Sequence, residues 1–430
     1  MSITTRALSE QLGQAHSAAD AAMLDLVQSG TLAYFWHFAH PVSGMARERS
    51  NPAGYDYLET VTTGGTGFGI MALLAASERG FLTRQQVRQR ITRIVAFLGK
   101  AERHHGVFSH FLHGSTGKTI PFSPLDDGGD LVETAFLMMG LLCAREYFAR
   151  NQPSENCLRA DINALWHAVE WSWHARPARD ALLWHWSPQH QWAMNHAITG
   201  WNEALVVYVL ACASPTHAVA PERYHQGWTA SPHFRNGNQY HGIELPLGPP
   251  SGGPLFFSHY SFMGLDPRGL VDRYADYFEQ NRAHTLINHA HCLQNPHAYA
   301  GYGEDCWGLT ASDSEHGYSA HAPDNDLGII TPTAAIAAMP YAPAESLQAL
   351  RHFLFKRGSD LWTPLGFRDA FCPATGWVAA GQLAIDQGPI MVMIENYRSG
   401  LLWSLFMRVP EVQASLNSLG FESPKLQDSR

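Results

Sequence analysis

Asp126-Asp127-Gly128-Gly129-Asp130-Leu131-Val132-Glu133-Thr134-Ala135-Phe136-Leu137-Met138-Met139-Gly140-Leu141-Leu142 is the stretch on which the reading of the fold turns. An acidic, glycine-containing loop runs straight into a strongly apolar segment, and the apolar residues recur at helical spacing over about 130–150. Asp130 and Glu133 are three apart at its start and share a face. The same arrangement recurs twice. Gly200-Trp201-Asn202-Glu203 opens an apolar helix, and Ile385-Asp386-Gln387-Gly388-Pro389 precedes another.

Working outward, the periodicity predicts helices at about 18–37, 66–79, 83–102, 130–150, 157–174, 200–213, 267–283, 284–294, 331–338, 343–357, 385–406 and 409–418. Between them lie long stretches rich in Gly, Pro, His and aromatics, at 103–129, 176–199, 227–262, 295–330 and 358–384. Trp184 to Trp192 reads as a hairpin turning at Ser187-Pro188. Many helices, few strands and long decorated loops predict an all-α fold: a single-domain (α/α)6 barrel, or toroid, with a few short β-hairpins. A bundle would have shorter loops. The domain is expected to span 1–430, with 1–20 as a flexible N-terminal extension.

Composition narrows the function. The 430 residues carry 38 acidic and 29 basic side chains, a formal charge of −9. No basic excess exists to neutralise phosphates, so nucleic acid is not an expected partner. No apolar run approaches the roughly 20 residues that a membrane helix needs. Arg6, Glu10, Asp20 and Asp25 interrupt any signal-peptide core, which places the chain as it stands in the cytoplasm, or in the periplasm or outside had a leader been removed. The six cysteines form no CxxC pair and read as free thiols.

Several motifs fail on inspection. Gly117-Lys118-Thr119 lacks the first glycine of a phosphate loop, because Leu112 stands there. Gly65-Thr66-Gly67-Phe68-Gly69 misses the last glycine of a dinucleotide fingerprint at Ile70. Ser115 and Lys118 have no S-D-N or K-T-G companion. His284, His289, His291, Cys292 and His297 resemble a ligand set, but His289 and His291 point to different faces of a helix and no HExxH exists. Polar lining of loops is the better reading, so no metal and no cofactor are expected.

With charged residues at only 16% against a typical share of about 25%, a carboxylate inside an apolar run is informative, because burying it costs several kcal/mol unless it is paired or neutral. Capping explains any one of the three acidic helix starts. In a barrel, however, such helix ends converge on one mouth. Seven of the 13 tryptophans fall between Trp166 and Trp201, and flat apolar faces with a polar tip suit sugar rings. Several carboxylates, stacking aromatics and no cofactor motif equip a protein to cleave a glycosidic bond.

At these residues the chain resembles the glucoamylase-like domain family of the endo-β-1,2-glucanase clan, related to domains of cyclic β-1,2-glucan synthases. The resemblance runs from Gly64-Gly-Thr-Gly-Phe-Gly69 to Leu419-Gly-Phe421. It includes Trp201-Asn-Glu203 running on to Ser214-Pro-Thr-His217, and Trp307-Gly-Leu-Thr-Ala-Ser312. Gly366-Phe-Arg-Asp-Ala-Phe371, Ala384-Ile-Asp386-Gln-Gly-Pro389 and Ile394-Glu-Asn-Tyr-Arg-Ser-Gly-Leu-Leu-Trp403 complete it. It implies an (α/α)6 barrel and endo-acting, anomer-inverting hydrolysis of β-1,2-glucan. It also implies that Glu203 is the general acid and that Asp386 is the general base, reaching the attacking water through a substrate hydroxyl. Asp130 and Glu133 match an acidic cluster that relatives use for binding or catalysis. Asp126, Trp201, Trp307, Arg368, Asp369, Phe371, Glu395, Asn396 and Arg398 are implied to bind substrate. The alternatives are transglycosylation giving cyclic or linear products, a barrel that only binds carbohydrate, and a lyase, which the acidic charge opposes.

Overall fold

The computed structural model describes residues 3–51, 57–177 and 179–426, with side chains described from residue 19 onward. Thirteen α-helical segments are described: α1 (Ile3–Trp36), α2 (Thr63–Glu78), α3 (Arg84–Leu98), α4 (Leu131–Tyr147), α5 (Pro153–Ala168), α6 (Leu205–Ala213), α7 (Tyr277–Gln294), α8 (Pro332–Ala337), α9 (Pro343–Arg351), α10 (Gly358–Leu361), α11 (Ala384–Arg398), α12 (Leu401–Met407) and α13 (Pro410–Ser418). Helices α2, α4, α6, α8 and α11 are apolar on nearly every side, which forces them inward. Helix α3 buries only Val87, Ile91, Ile94, Val95 and Leu98, one stripe at helical spacing, and α5 is built alike. These belong to an outer ring. Along the inner ring α2 packs between α4 and α11, α11 continues to α8, and α4 to α6. Two 3₁₀ turns at Leu255–Ser258 and Ser261–Met263, backed by α7, carry the wall from α7 to α11. The result is an (α/α)6 barrel.

At the α2–α4 crossing the backbones touch. A Cβ on Gly67 would collide with the carbonyl of Phe136, and one on Gly140 with the carbonyl of Gly67. Only glycine permits that approach.

The loops hold short antiparallel pairs. Thr60–Thr62 pairs with Phe111–His113, Ala311–Ser314 with Gly317–Ala320, and Arg235–Tyr240 with Ile243–Leu247. Among the described residues no helix is long and apolar enough to cross a membrane.

Several element boundaries differ from expectation. The first helix begins at Ile3, well before residue 18. The two helices expected over 267–294 are one, α7, started by Asp276, whose side chain accepts from the Phe278 and Glu279 amides. The segment expected at 385–406 breaks at Gly400, in the left-handed region at φ 68°, to give α11 and α12. Glu203 lies two residues before α6 rather than inside it. The turn at Ser187 exists, but His185–Trp186 pairs with Gly129–Asp130, not with residues beyond the turn.

Candidate active site

The N-terminal ends of the inner helices α2, α4, α6 and α11 meet at one cavity of about 360 Å³. Thr62 before α2, Val132 and Glu133 of α4, Glu203 before α6, and Leu383 and Ile385 around the start of α11 all line it. Loops complete the wall with Glu48, Arg49, His110, Phe111, Phe122, Trp184, Phe256, Tyr260 and Tyr318.

One acidic group forms around His110. Asp130 caps α4: its Oδ1 accepts from the amides of Val132 and Glu133, each at 3.0 Å, and from the Trp184 indole at 3.0 Å. Its Oδ2 lies 3.1 Å from His110 Nδ1. Asp126 Oδ2 is 3.3 Å from His185 Nε2. Glu133 Oε2 accepts from the Gly64 amide at 2.7 Å, and its Oε1 is 4.0 Å from His110 Nε2. A Cβ on Gly64 would stand 2.6 Å from Glu133 Oε2, so glycine there leaves the carboxylate its place on the amide.

The charges explain the protons. Burial alone would strip His110 of its proton, but Glu133, Asp130 and Asp126 outweigh it and raise the imidazole to about 9. Burial also acts on Asp130, yet its hydrogen bond to His110 and the charge of His185 hold it below the usual carboxylate range. Asp126 is pushed up to about 7, by burial first and then by Asp130. Glu133 also lies above its ordinary value, again chiefly through burial. Among the described residues, His110, Asp126 and Asp130 are the one group close enough to hold a cation. A protonated His110 opposes coordination, which requires a neutral imidazole.

Glu203 is raised to about 7, mainly by burial and further by Glu133 and Asp130. Its backbone carbonyl accepts from Ser261 Oγ, which pins the turn before α6. The Tyr260 ring is walled in by Phe68, Phe136 and Phe256. Burial raises its hydroxyl far above 10, and the carboxyls of Asp386, Glu203 and Glu133 add to this.

A second acidic group is built differently. Asp386, in the first turn of α11, is 1% exposed, and neither of its oxygens has a donor. It faces Asp369, whose Oδ2 accepts from the Asp313 amide at 2.7 Å and whose Oδ1 has no donor. Two such carboxyls can bond to each other only by sharing a proton. Burial, then mutual repulsion, holds Asp386 well above the carboxylate range, and burial with the charge of Asp313 raises Asp369. Arg49 bridges Asp313 at 3.2 Å and Glu48 at 2.8 Å.

Glu203 and Glu133 therefore line the cavity, Asp126 and Asp130 stand behind its wall, and Asp386 follows the lining residue Ile385. The other expected binding residues lie elsewhere. Trp201 is packed among Trp228, Phe262 and Tyr277. Trp307 and Phe371 are fully buried in a separate core under α8 and α9. Arg368 donates to the carbonyls of Asp360, Ala379 and Ala380, tying down a loop. Glu395 pairs with Arg79 at 2.7 Å, and Arg398 with Asp25 at 2.6 Å. Asn396 caps α12 through the Leu402 and Trp403 amides. All of these hold the barrel together. Of the tryptophan cluster, Trp184 alone lines the cavity, while Trp173, Trp186 and Trp192 pack on each other. Residues the sequence reading missed are His110, Tyr260, Phe122, Tyr318, Glu48 and Arg49. Phe122 and Tyr318 had one weak signal, an aromatic flanked by turn residues.

Residues 195–410 match the family model described as "Putative glucoamylase". A Bacteroides uniformis structure under that same description is 55% identical, covers 95% of this chain and 99% of its own, and superposes with a TM-score of 0.93. The endo-β-1,2-glucanase of Chitinophaga pinensis, solved with sophorotriose and glucose, is 51% identical with a TM-score of 0.92, covering 95% of this chain and 99% of that one. A curated relative from Parabacteroides distasonis, an exo β-1,2-glucooligosaccharide sophorohydrolase acting at the non-reducing end, is 45% identical over 422 residues. That match takes in 93% of this chain, which spans 58% of the relative's length. The inner-helix glycines and the acidic helix starts thus sit in a chain that belongs to the glucoamylase-like family.

Proposed function

We propose that this chain hydrolyses β-1,2-glucan internally to β-1,2-gluco-oligosaccharides with inversion at the anomeric carbon. Glu203 acts as general acid and Asp386 as general base. The observation that carries this reading is Glu203 itself, a cavity-lining carboxyl whose burial raises it to about 7, so that a proton is available to a departing oxygen near neutrality. The glucanase named above, similar over nearly all of both chains, supports the substrate class.

In this reading the proton shared by Asp386 and Asp369 rests on Asp369 in the reactive form, and Asp386 then accepts a proton from water relayed through a substrate hydroxyl. Glu133 borders the bond being cleaved, and Asp130 and His110 behind it fix the charge there. A second reading, exo release of disaccharide from the non-reducing end, is favoured by the sophorohydrolase relative.

A time course on linear β-1,2-glucan tests both. A ladder of oligosaccharides with rising reducing ends is the expected result. Disaccharide alone from the first minutes would select the exo reading. Cyclic or elongated products without new reducing ends would mean transfer, and no change in the polymer would overturn hydrolysis altogether.

A further inference from the structure

Ten large apolar or aromatic side chains are exposed by more than a third among the described residues, and two of them line the cavity: Phe122 at 56% and Tyr318 at 55%. Singly exposed aromatics are ordinary, but two that are more than half exposed on the wall of one cavity offer flat apolar area to whatever enters it.

Each ring is mounted. Phe122 stacks on His110, with centroids 4.4 Å apart and planes 29° apart, and Phe111 abuts it at 5.6 Å. One ring face is therefore backed by imidazole and the other is open. The Phe122 amide also donates to the Asp126 carbonyl at 2.9 Å, which ties the loop to the first acidic group. Tyr318 stands opposite Asp313 in the hairpin Ala311–Ser314/Gly317–Ala320. Asp313 is held by Arg49, and its amide holds Asp369. One exposed ring is thus fixed to the His110 group and the other to the Asp369–Asp386 group.

We propose that Phe122 and Tyr318 are stacking platforms for the pyranose faces of two glucosyl units of a β-1,2-linked chain, one on each side of the cleaved linkage. Sugar rings present apolar C–H faces that suit such surfaces, and mounting each platform on one acidic group sets the chain's register against both. This rests on the substrate class proposed above.

The test is calorimetry of linear β-1,2-gluco-oligosaccharides of three to seven units in a Glu203→Gln background, with wild-type cleavage measured alongside. Phe122→Ala and Tyr318→Ala should each weaken binding about tenfold or more, while Phe122→Trp and Tyr318→Phe should stay within about threefold of the background. Unchanged melting temperatures exclude a folding defect. Unaltered affinity in both alanine variants overturns the platforms, even where the wild type cleaves glucan. Binding that depends on both rings in a wild type that does not cleave leaves the platforms standing and overturns hydrolysis. No binding by any form overturns both.

Discussion

Around Asp130, two backbone amides, an indole and an imidazole all point at one carboxylate. Around Asp386, on the start of another inner helix, no donor reaches either oxygen. Both side chains are 1% exposed, so burial does not distinguish them. The surroundings do. Donors stabilise the anion and leave Asp130 a fixed charge, whereas Asp386, with no donor and with Asp369 beside it, is held toward the protonated form and can exchange that proton. A satisfied carboxylate shapes an electrostatic wall; an unsatisfied one is free to move protons.

The largest test of that contrast is parallel substitution. Asp386→Asn and Glu203→Gln should each lower turnover on β-1,2-glucan by about 10²–10⁴ with little change in melting temperature. Asp130→Ala should show the opposite balance in its stability component, losing the cap and the buried partners and melting measurably lower, with the cap alone worth about 0.5–2 kcal/mol. An Asp386→Asn protein that melts early and still turns over would make the two acids alike.

A smaller effect concerns protonation. Asp369→Asn puts a permanent amide donor beside Asp386 and favours its ionised form. The acid limb of the rate–pH profile should move to lower pH, while the limb set by Glu203 near 7 stays in place. An unmoved acid limb would mean that the pair does not share a proton.

The smallest concerns stability. His110 sits at about 9 when folded, against an ordinary 6.5. Its contribution is present in full below about 6.5 and is lost as pH rises through 9. Melting temperature should decline across that window, and His110→Gln should flatten the decline. A wild-type curve already flat from 6.5 to 9 would show His110 to be neutral.

The acidic helix starts were legible because charge is scarce in this chain, and Asp130, Glu203 and Asp386 each interrupt an apolar run. The helical rings were legible from periodicity. What the sequence concealed is direction. Trp201, Trp307 and Glu395 stand in motifs as distinctive as that of Glu203, yet they point into the barrel wall, and only tertiary packing decides which side of a turn faces the cavity. His110 was invisible for a related reason. It is one of 24 histidines, and its significance comes from carboxylates 16 to 23 residues further along the chain.

The glycine seam between α2 and α4 bears on which exchanges the fold can absorb. The outer stripe of α3 meets α2 and α5 through side chains alone, which can repack around a conservative exchange. At Gly64, Gly67 and Gly140 a single added methyl meets a carboxylate or a neighbouring main chain. The wall bearing Glu133 is therefore set by the thickness of the polypeptide itself. Exchanges in the loops around the cavity leave that spacing alone, whereas a methyl added at Gly67 or Gly140 would push the two helices apart and carry Glu133 with them.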